Sequence, residues 1–322
     1  MKRKIVFGLL AAVTLFASVA HAASEYTFRV YAHGVTAAPQ SSALYAFTSF
    51  TFTPCGTSGV SGPNLAKCQA QYAAAPWAQN PSSFSVTTGV QSWVVPATGN
   101  YQITVAGAAG GNGTNYATVS QPGYGGNGAV LTAVVPLTQG TALRLMVGQK
   151  GSSSSLDGGG GGGTFVAIAS NPVMVAGGGG GATPNPPYRG DNASLTTSGT
   201  CGYGTQYEGT NGNGGFYISN SEGAGGSGFT GNGASTGNYG GQSYSFLNGG
   251  VSSGTSNACG IAAPGGFGGG GGAGCWGGGG GGGFSGGCGG GEGGGGGSYY
   301  TGSLVSSAVT NTGDGYITIT KQ

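Results

Sequence analysis

Few side chains in this sequence could carry out nucleophilic, metal or proton chemistry. Beyond residue 22 there are one histidine, His33, seven carboxylates and six cysteines. A Ser–His–Asp arrangement would need His33 as its base, and no nucleophile motif lies near it, so a plain surface histidine is the simpler reading. The carboxylates Glu25, Asp157, Asp191, Glu208, Glu222, Glu292 and Asp314 are scattered, and no paired-acid site is signalled. Asp157 and Asp314 stand beside glycines, where aspartate is common in turns that hold no calcium. Gly123-Tyr124-Gly125-Gly126-Asn127-Gly128 satisfies G-x-G-x-x-G by letter. It leads into a strand pattern instead of opening a helix, so the dinucleotide-binding reading fails. The expectation is a protein that is not an enzyme and holds no cofactor and no metal.

Disulfide formation is the chemistry that remains. Lys2, Arg3 and Lys4, the apolar run Ile5 to Phe16, and Ala20-His21-Ala22 read as a signal peptide over 1–22, with a mature chain from Ala23. The apolar run is short for a membrane span of about 20 residues, and no later segment is apolar enough to cross a bilayer. Export through the inner membrane is therefore expected, to the outside, the cell surface or the periplasm. The even set Cys55, Cys68, Cys201, Cys259, Cys275 and Cys288 then favours disulfides. Six cysteines permit 15 connectivities. Pairing in chain order is the expectation: Cys55–Cys68, Cys201–Cys259 and Cys275–Cys288. No C-x-x-C spacing supports zinc.

Past residue 22 the chain has six basic side chains against seven acidic ones. No basic patch can neutralise a phosphate backbone, which disfavours nucleic acid as a partner. Charged residues are 5% of the sequence and hydrophobic ones 37%. That is not the highly charged, weakly hydrophobic composition of disordered chains.

These residues must be positioned by short strands. Alternation marks Tyr26 to Tyr31 in an N-terminal β segment over 23–46. It continues at Phe47 to Phe52, Ser92 to Val95, Tyr101 to Val105, Ala129 to Val135, Ala142 to Val147, Thr164 to Ile168, Pro172 to Val175 and Gly315 to Thr320. One short helix is predicted near 63–74, with Pro63 in its first turn and Leu65, Cys68 and Tyr72 on one face. Many short strands with glycine-rich turns point to a mainly β fold, a β-sandwich in which the last strand pairs.

Glycine fills the spaces between strands. Residues 264–298 hold 25 glycines in 35 positions. There is no Gly-X-Y period, so collagen is excluded. A flexible linker would not embed Phe267, Trp276 and Phe284, or two cysteines. Extended helices with three residues per turn and about 3.1 Å rise fit better. Without Cβ atoms such strands pack side by side and bond to one another through their backbones. Ordering glycine is entropically costly, at about 1–2 kcal/mol per residue or more, so a template is needed, supplied by the sandwich and the disulfides.

Gly265-Gly266-Phe267, Gly268–Gly272, Cys275, Gly277–Gly283, Phe284 and Gly293–Gly297 followed by Ser298-Tyr299 resemble the glycine-rich domain of anaplastic lymphoma kinase and leukocyte tyrosine kinase. Thr164-Phe165-Val166 after Gly158–Gly163, Val173 to Gly180, and the closing Gly313 to Ile319 are similar to the same domain. The stretch Phe52 to Gly59, then Gly62 to Leu65, Cys68, Tyr72, Trp77 and Trp93 to Pro96, is similar to the segment preceding such domains in bacterial and phage proteins. The resemblance covers about residues 47–320. It implies a tumour-necrosis-factor-like β-sandwich with an inserted bundle of polyglycine II helices over 47–322. It also implies recognition, as in cytokine-binding receptors and phage adhesins.

Residues 183–263 are the candidate binding loops. Tyr188, Arg189, Asp191, Tyr203, Tyr207, Phe216, Tyr217, Tyr239, Tyr244 and Phe246 lie there among Gly, Ser, Asn and Thr. Rigid aromatics and small polar groups make up recognition loops. The same aromatics could instead cap or separate glycine strands. The expected function is an exported, adhesin-type binding protein whose partner is a cell-surface protein or glycan. The alternatives are a structural matrix, appendage or ice-binding protein and, more distantly, a secreted hydrolase.

Overall fold

The computed structural model describes residues 42–113, 123–184, 189–202, 204–237, 240–252 and 263–322. The expected signal peptide over 1–22, the strand at 26–31, and Tyr188, Tyr203, Tyr239 and Cys259 lie outside the described residues. No helix among the described residues is long and apolar enough to cross a membrane.

Among the described residues, eleven strands form two antiparallel sheets. In chain order they are β1 (Ser49–Phe52), β2 (Phe84–Thr87), β3 (Val90–Val94), β4 (Gly99–Ala106), β5 (Gly128–Leu137), β6 (Ala142–Met146), β7 (Thr164–Ile168), β8 (Asn171–Ala176), β9 (Tyr299–Tyr300), β10 (Ser303–Asn311) and β11 (Tyr316–Lys321). One sheet has the order β1-β11-β4-β5-β10 and the other β2-β3-β6-β7-β8-β9. As expected, the last strand returns to the sandwich. Ile317 faces both Phe52 and Val105, and Ile319 faces Phe50 and Ile103. β2, β9 and β10 were not among the expected strands.

Alternation fills the space between the sheets. Ile103, Val105, Leu131, Ala133, Ile317 and Ile319 from the first sheet meet Trp93, Leu143, Leu145, Val166 and Met174 from the second. A buried aliphatic side chain of this size contributes about 1.5–3 kcal/mol. Among the described residues one α-helix, α1 (Leu65–Gln71), packs against this core. Its Cys68 and Tyr72 side are buried and Leu65 packs against the core, as the spacing required. Pro63 is not in its first turn. It precedes Asn64, whose side chain caps the helix by accepting from the Lys67 amide at 2.9 Å. Cys68 is joined to Cys55, the first of the expected pairs.

The glycine segments are neither helix nor sheet, yet they are buried and hydrogen-bonded. β4, β6 and β8 run out of the sandwich into 107–113, 147–152 and 177–184. The segments 123–127, 157–163 and 293–298 lead back into β5, β7 and β9. In 277–283 successive amides turn to different neighbours. Gly279 and Gly282 donate to Gly158 and Gly161, Gly280 and Gly283 to Ala224 and Ser227, and Gly281 to Gly294. Every third residue thus bonds the same neighbouring segment. The same step of three recurs in 177–184, where Gly178 and Gly181 donate to Gly282 and Gly279, and Gly179 and Ala182 to Ala108 and Gly111.

Glycine is obligatory in this block for a steric reason. A Cβ built on Gly160, Gly178, Gly181, Gly279 or Gly281 would lie closer than 3.0 Å to a backbone carbonyl of a neighbouring segment. The second α-hydrogen points where that Cβ would be, giving a weak Cα–H···O contact in place of a clash.

A second apolar cluster fastens the block to the sandwich. Along β7, Val166 points into the inter-sheet core, whereas Phe165 and Ala167 point to the opposite face. There they join Val90, Met146 and Val175, and meet Phe229, Phe246 and Phe267 from turns of the block. Phe267 and Phe284 therefore behave as the sequence suggested, the first fully buried and the second packed against the same cluster. Trp276 does not: it is 62% exposed, because it sits in a turn between two glycine segments.

Candidate functional site

The glycine segments reverse direction at two ends. The near end is the aromatic cluster on the sandwich. The far end can be traced through backbone contacts. Gly190 donates to Tyr124, Asp191 to Gly293, and Gly293 to Gly181. Gly290 donates to Gly278, Ile218 to Gly289, and Cys275 to Ser221. Segments around 124, 190, 218–222, 275 and 290–293 thus converge on one end of the block, away from the sandwich.

Several of the expected binding residues fall on or beside that end. Arg189 is exposed, and its guanidinium lies 5.4 Å from the centre of the Tyr124 ring, a cation–π distance. Asp191 is half-buried and accepts from the Thr200 hydroxyl at 2.8 Å. Tyr217 is half-buried and bridges to Gly289. Tyr207 and Phe216 are neighbours, since the Phe216 amide donates to the Tyr207 carbonyl at 2.8 Å, and Phe216 is 55% exposed. Tyr244 is exposed but lies apart, on the segment that enters the near-end cluster two residues later. Phe246 is fully buried in that cluster, stacked on Phe165 and Phe229, and so packs instead of presenting a contact surface.

The disulfide expectation needs correction here. Cys288 pairs with Cys201, not with Cys275, so neither of the two later chain-order pairs exists. Cys275 is itself disulfide-bonded. The cause is the back-and-forth course of the block: Thr200 lies beside 288, and its carbonyl accepts from the Cys288 amide.

Tyr124 and Trp276 were not singled out as contact residues. Tyr124 sits inside the G-x-G-x-x-G letters, and in sequence Trp276 reads as an embedded apolar group. A signal for Trp276 exists in hindsight, as it interrupts two glycine runs that must reverse direction.

Burial dominates the electrostatics. It pushes the carboxyls of Asp191, Glu222 and Glu292 above the ordinary range, with the Asp191 charge adding to the effect on Glu292. Asp157 is raised furthest, to about 7, by desolvation. Asp314 accepts from the Lys150 amide at 2.7 Å. Among the described residues no group of three or more His, Cys, Asp or Glu side chains is placed to hold a metal ion. The G-x-G-x-x-G stretch runs directly into β5. This set of aromatic rings, one guanidinium and small polar groups is suited to contact.

No family model matches the chain. A stretch of 106 residues, 33% of the chain, is 35% identical to the leukocyte tyrosine kinase receptor of mouse. The similarity spans 11% of that receptor's length, so the chain corresponds to a small part of it. It supports a related glycine-rich domain of the leukocyte and anaplastic lymphoma kinase type, and carries no evidence of a kinase domain. A binding or recognition role is compatible with that relationship.

Proposed function

We propose that this chain is an exported recognition protein of adhesin type, acting outside the cell or at its surface, with a cell-surface protein or glycan as partner. In this reading the glycine block is a bundle of polyglycine II helices on a tumour-necrosis-factor-like sandwich. The step of three in its hydrogen bonds supports this, because three residues per turn returns every third amide to the same neighbour. A block so bonded holds its turns without further packing, which lowers the entropic cost of presenting them to a partner.

One observation carries the reading. Arg189 over Tyr124, Tyr217 and the exposed Trp276 come from four distant parts of the sequence and sit on segments joined by the backbone bonds that trace the far end of the block. Asp191, and Tyr207 with Phe216, are included in the proposed contact surface. Tyr188, Tyr203, Tyr239 and Tyr244 remain candidates from the sequence.

The test uses the secreted, full-length chain on arrays of glycans and cell-surface proteins. Tyr124→Ala, Arg189→Ala, Tyr217→Ala and Trp276→Ala are expected to weaken attachment at least tenfold while leaving the thermal melt within a few degrees. Undiminished attachment by all four variants would rule out the far end as the contact surface. N-terminal sequencing of the secreted form should begin at Ala23.

A further inference from the structure

A different polar feature lies on the outer face of the second sheet. β2, β3 and β6 pair so that Ser85 faces Ser92, and Ser92 faces Arg144. Their strand neighbours Phe84, Trp93, Leu143 and Leu145 are buried in the inter-sheet core, so alternation sends Ser85, Ser92 and Arg144 to the outer face in one row. The turn at Leu247 and Asn248 rises along one side. Together with Thr87 these groups line an open cavity of about 620 Å³, a volume within the usual range for small-molecule sites.

Arg144 is held in this cavity by two contacts. Its guanidinium lies 4.6 Å from the centre of the buried Phe246 ring, and Nη1 donates to the Ala169 carbonyl at 3.0 Å. Among the described residues no carboxylate pairs with it. The cavity lining contains hydroxyls, an amide and a guanidinium, and no carboxylate. A guanidinium has five N–H donors, so Arg144, with one donated to the Ala169 carbonyl, keeps others for a carboxylate. Flanking hydroxyls both donate and accept, which matches the hydroxyls of a sugar.

We infer that this cavity binds a carboxylate-bearing sugar of uronic-acid type, with the carboxylate on Arg144 and ring hydroxyls on Ser85, Ser92 and Thr87. The site shares no residue with the far end of the glycine block, and stands or falls independently of the adhesin reading.

Isothermal titration of the full-length protein with D-glucuronic acid, D-glucose, acetate and inorganic phosphate tests it. Saturable binding of glucuronic acid is expected, at least tenfold tighter than glucose, acetate or phosphate. Arg144→Gln should remove it, with the thermal melt recorded as a control because Arg144 also touches Phe246. Ser92→Ala, which disturbs no buried contact, should weaken glucuronic acid severalfold and leave acetate unchanged. Absence of glucuronic acid binding, equal binding of glucose, or phosphate bound as tightly as the sugar acid would each overturn the inference. So would unchanged binding in a folded Arg144→Gln, or unchanged binding in Ser92→Ala.

Discussion

The Cα atoms of Cys201 and Cys288 stand 5.4 Å apart, although 87 residues of sequence separate them. This bond ties two segments of the glycine block that the chain reaches at very different times. Closing so long a loop removes freedom from the unfolded chain worth about 4–5 kcal/mol, against about 3 kcal/mol for the short loop between Cys55 and Cys68. The Cys201→Ser/Cys288→Ser double variant is therefore expected to lose more stability than Cys55→Ser/Cys68→Ser in denaturant titrations. Non-reducing peptide mapping should recover a peptide joining 201 to 288. A peptide joining 275 to 288 would contradict the described connectivity.

Glycine in the block is required by contact with backbone, which cannot move aside as a side chain can. A Cβ on Gly281 would meet the Gly178 carbonyl closer than 3.0 Å, whereas one on Gly313 would meet nothing within 4 Å. Gly281→Ala is expected to cost about 3 kcal/mol or more. Gly313→Ala is expected to be neutral or to stabilise by up to about 1 kcal/mol. Chemical denaturation of the two variants separates this steric account from a general dislike of substitution in glycine-rich sequence.

Asp157 links stability to pH. Its folded-state value is raised from 3.8 to about 7 by burial. Between those values the folded chain holds a proton that the unfolded chain has released. The contribution is fully present below about pH 4, falls as pH rises, and is lost above about pH 7, amounting to as much as about 4 kcal/mol. The raised carboxyls of Asp191, Glu222 and Glu292 act in the same direction. Thermal melts should rise on acidification from pH 8 to pH 4.5, and Asp157→Asn should flatten that slope and melt higher than the parent at pH 8. Equal slopes in parent and variant would remove Asp157 as the cause.

The sandwich was legible where one face of a strand is buried. β4, β5 and β11 carry Ile103, Val105, Leu131, Ile317 and Ile319 at every second position, and that period is visible in sequence. β10 was not legible, because Ser303–Asn311 is an edge strand exposed along most of its length and has no buried face to set a period. β2 and β9 are too short to show one. The need for side-chain-free backbone could be argued from the run 264–298, but not which segments touch, since neighbours in the block are distant in sequence. Phe216 and Phe246 illustrate the consequence. Both are aromatics among glycine and serine, yet one is 55% exposed and the other buried. What separates them is where their segment meets the sandwich, and no local pattern records that. Arg189 and Asp191 were recognised as a candidate contact. Tyr124 was not, since the bonds that bring 123–127 beside 189–193, such as Gly190 to Tyr124 and Ala193 to Asn127, join segments more than 60 residues apart.

The glycine runs stand or fall as a hydrogen-bonded block. Amide hydrogen exchange over 277–283 tests it most directly, because Gly279 to Gly283 each donate to a carbonyl of another segment. These amides are expected to be protected to the same degree as those of β4 and β11. Exchange at the rate of an unstructured peptide, while the sandwich strands stay protected, would contradict it.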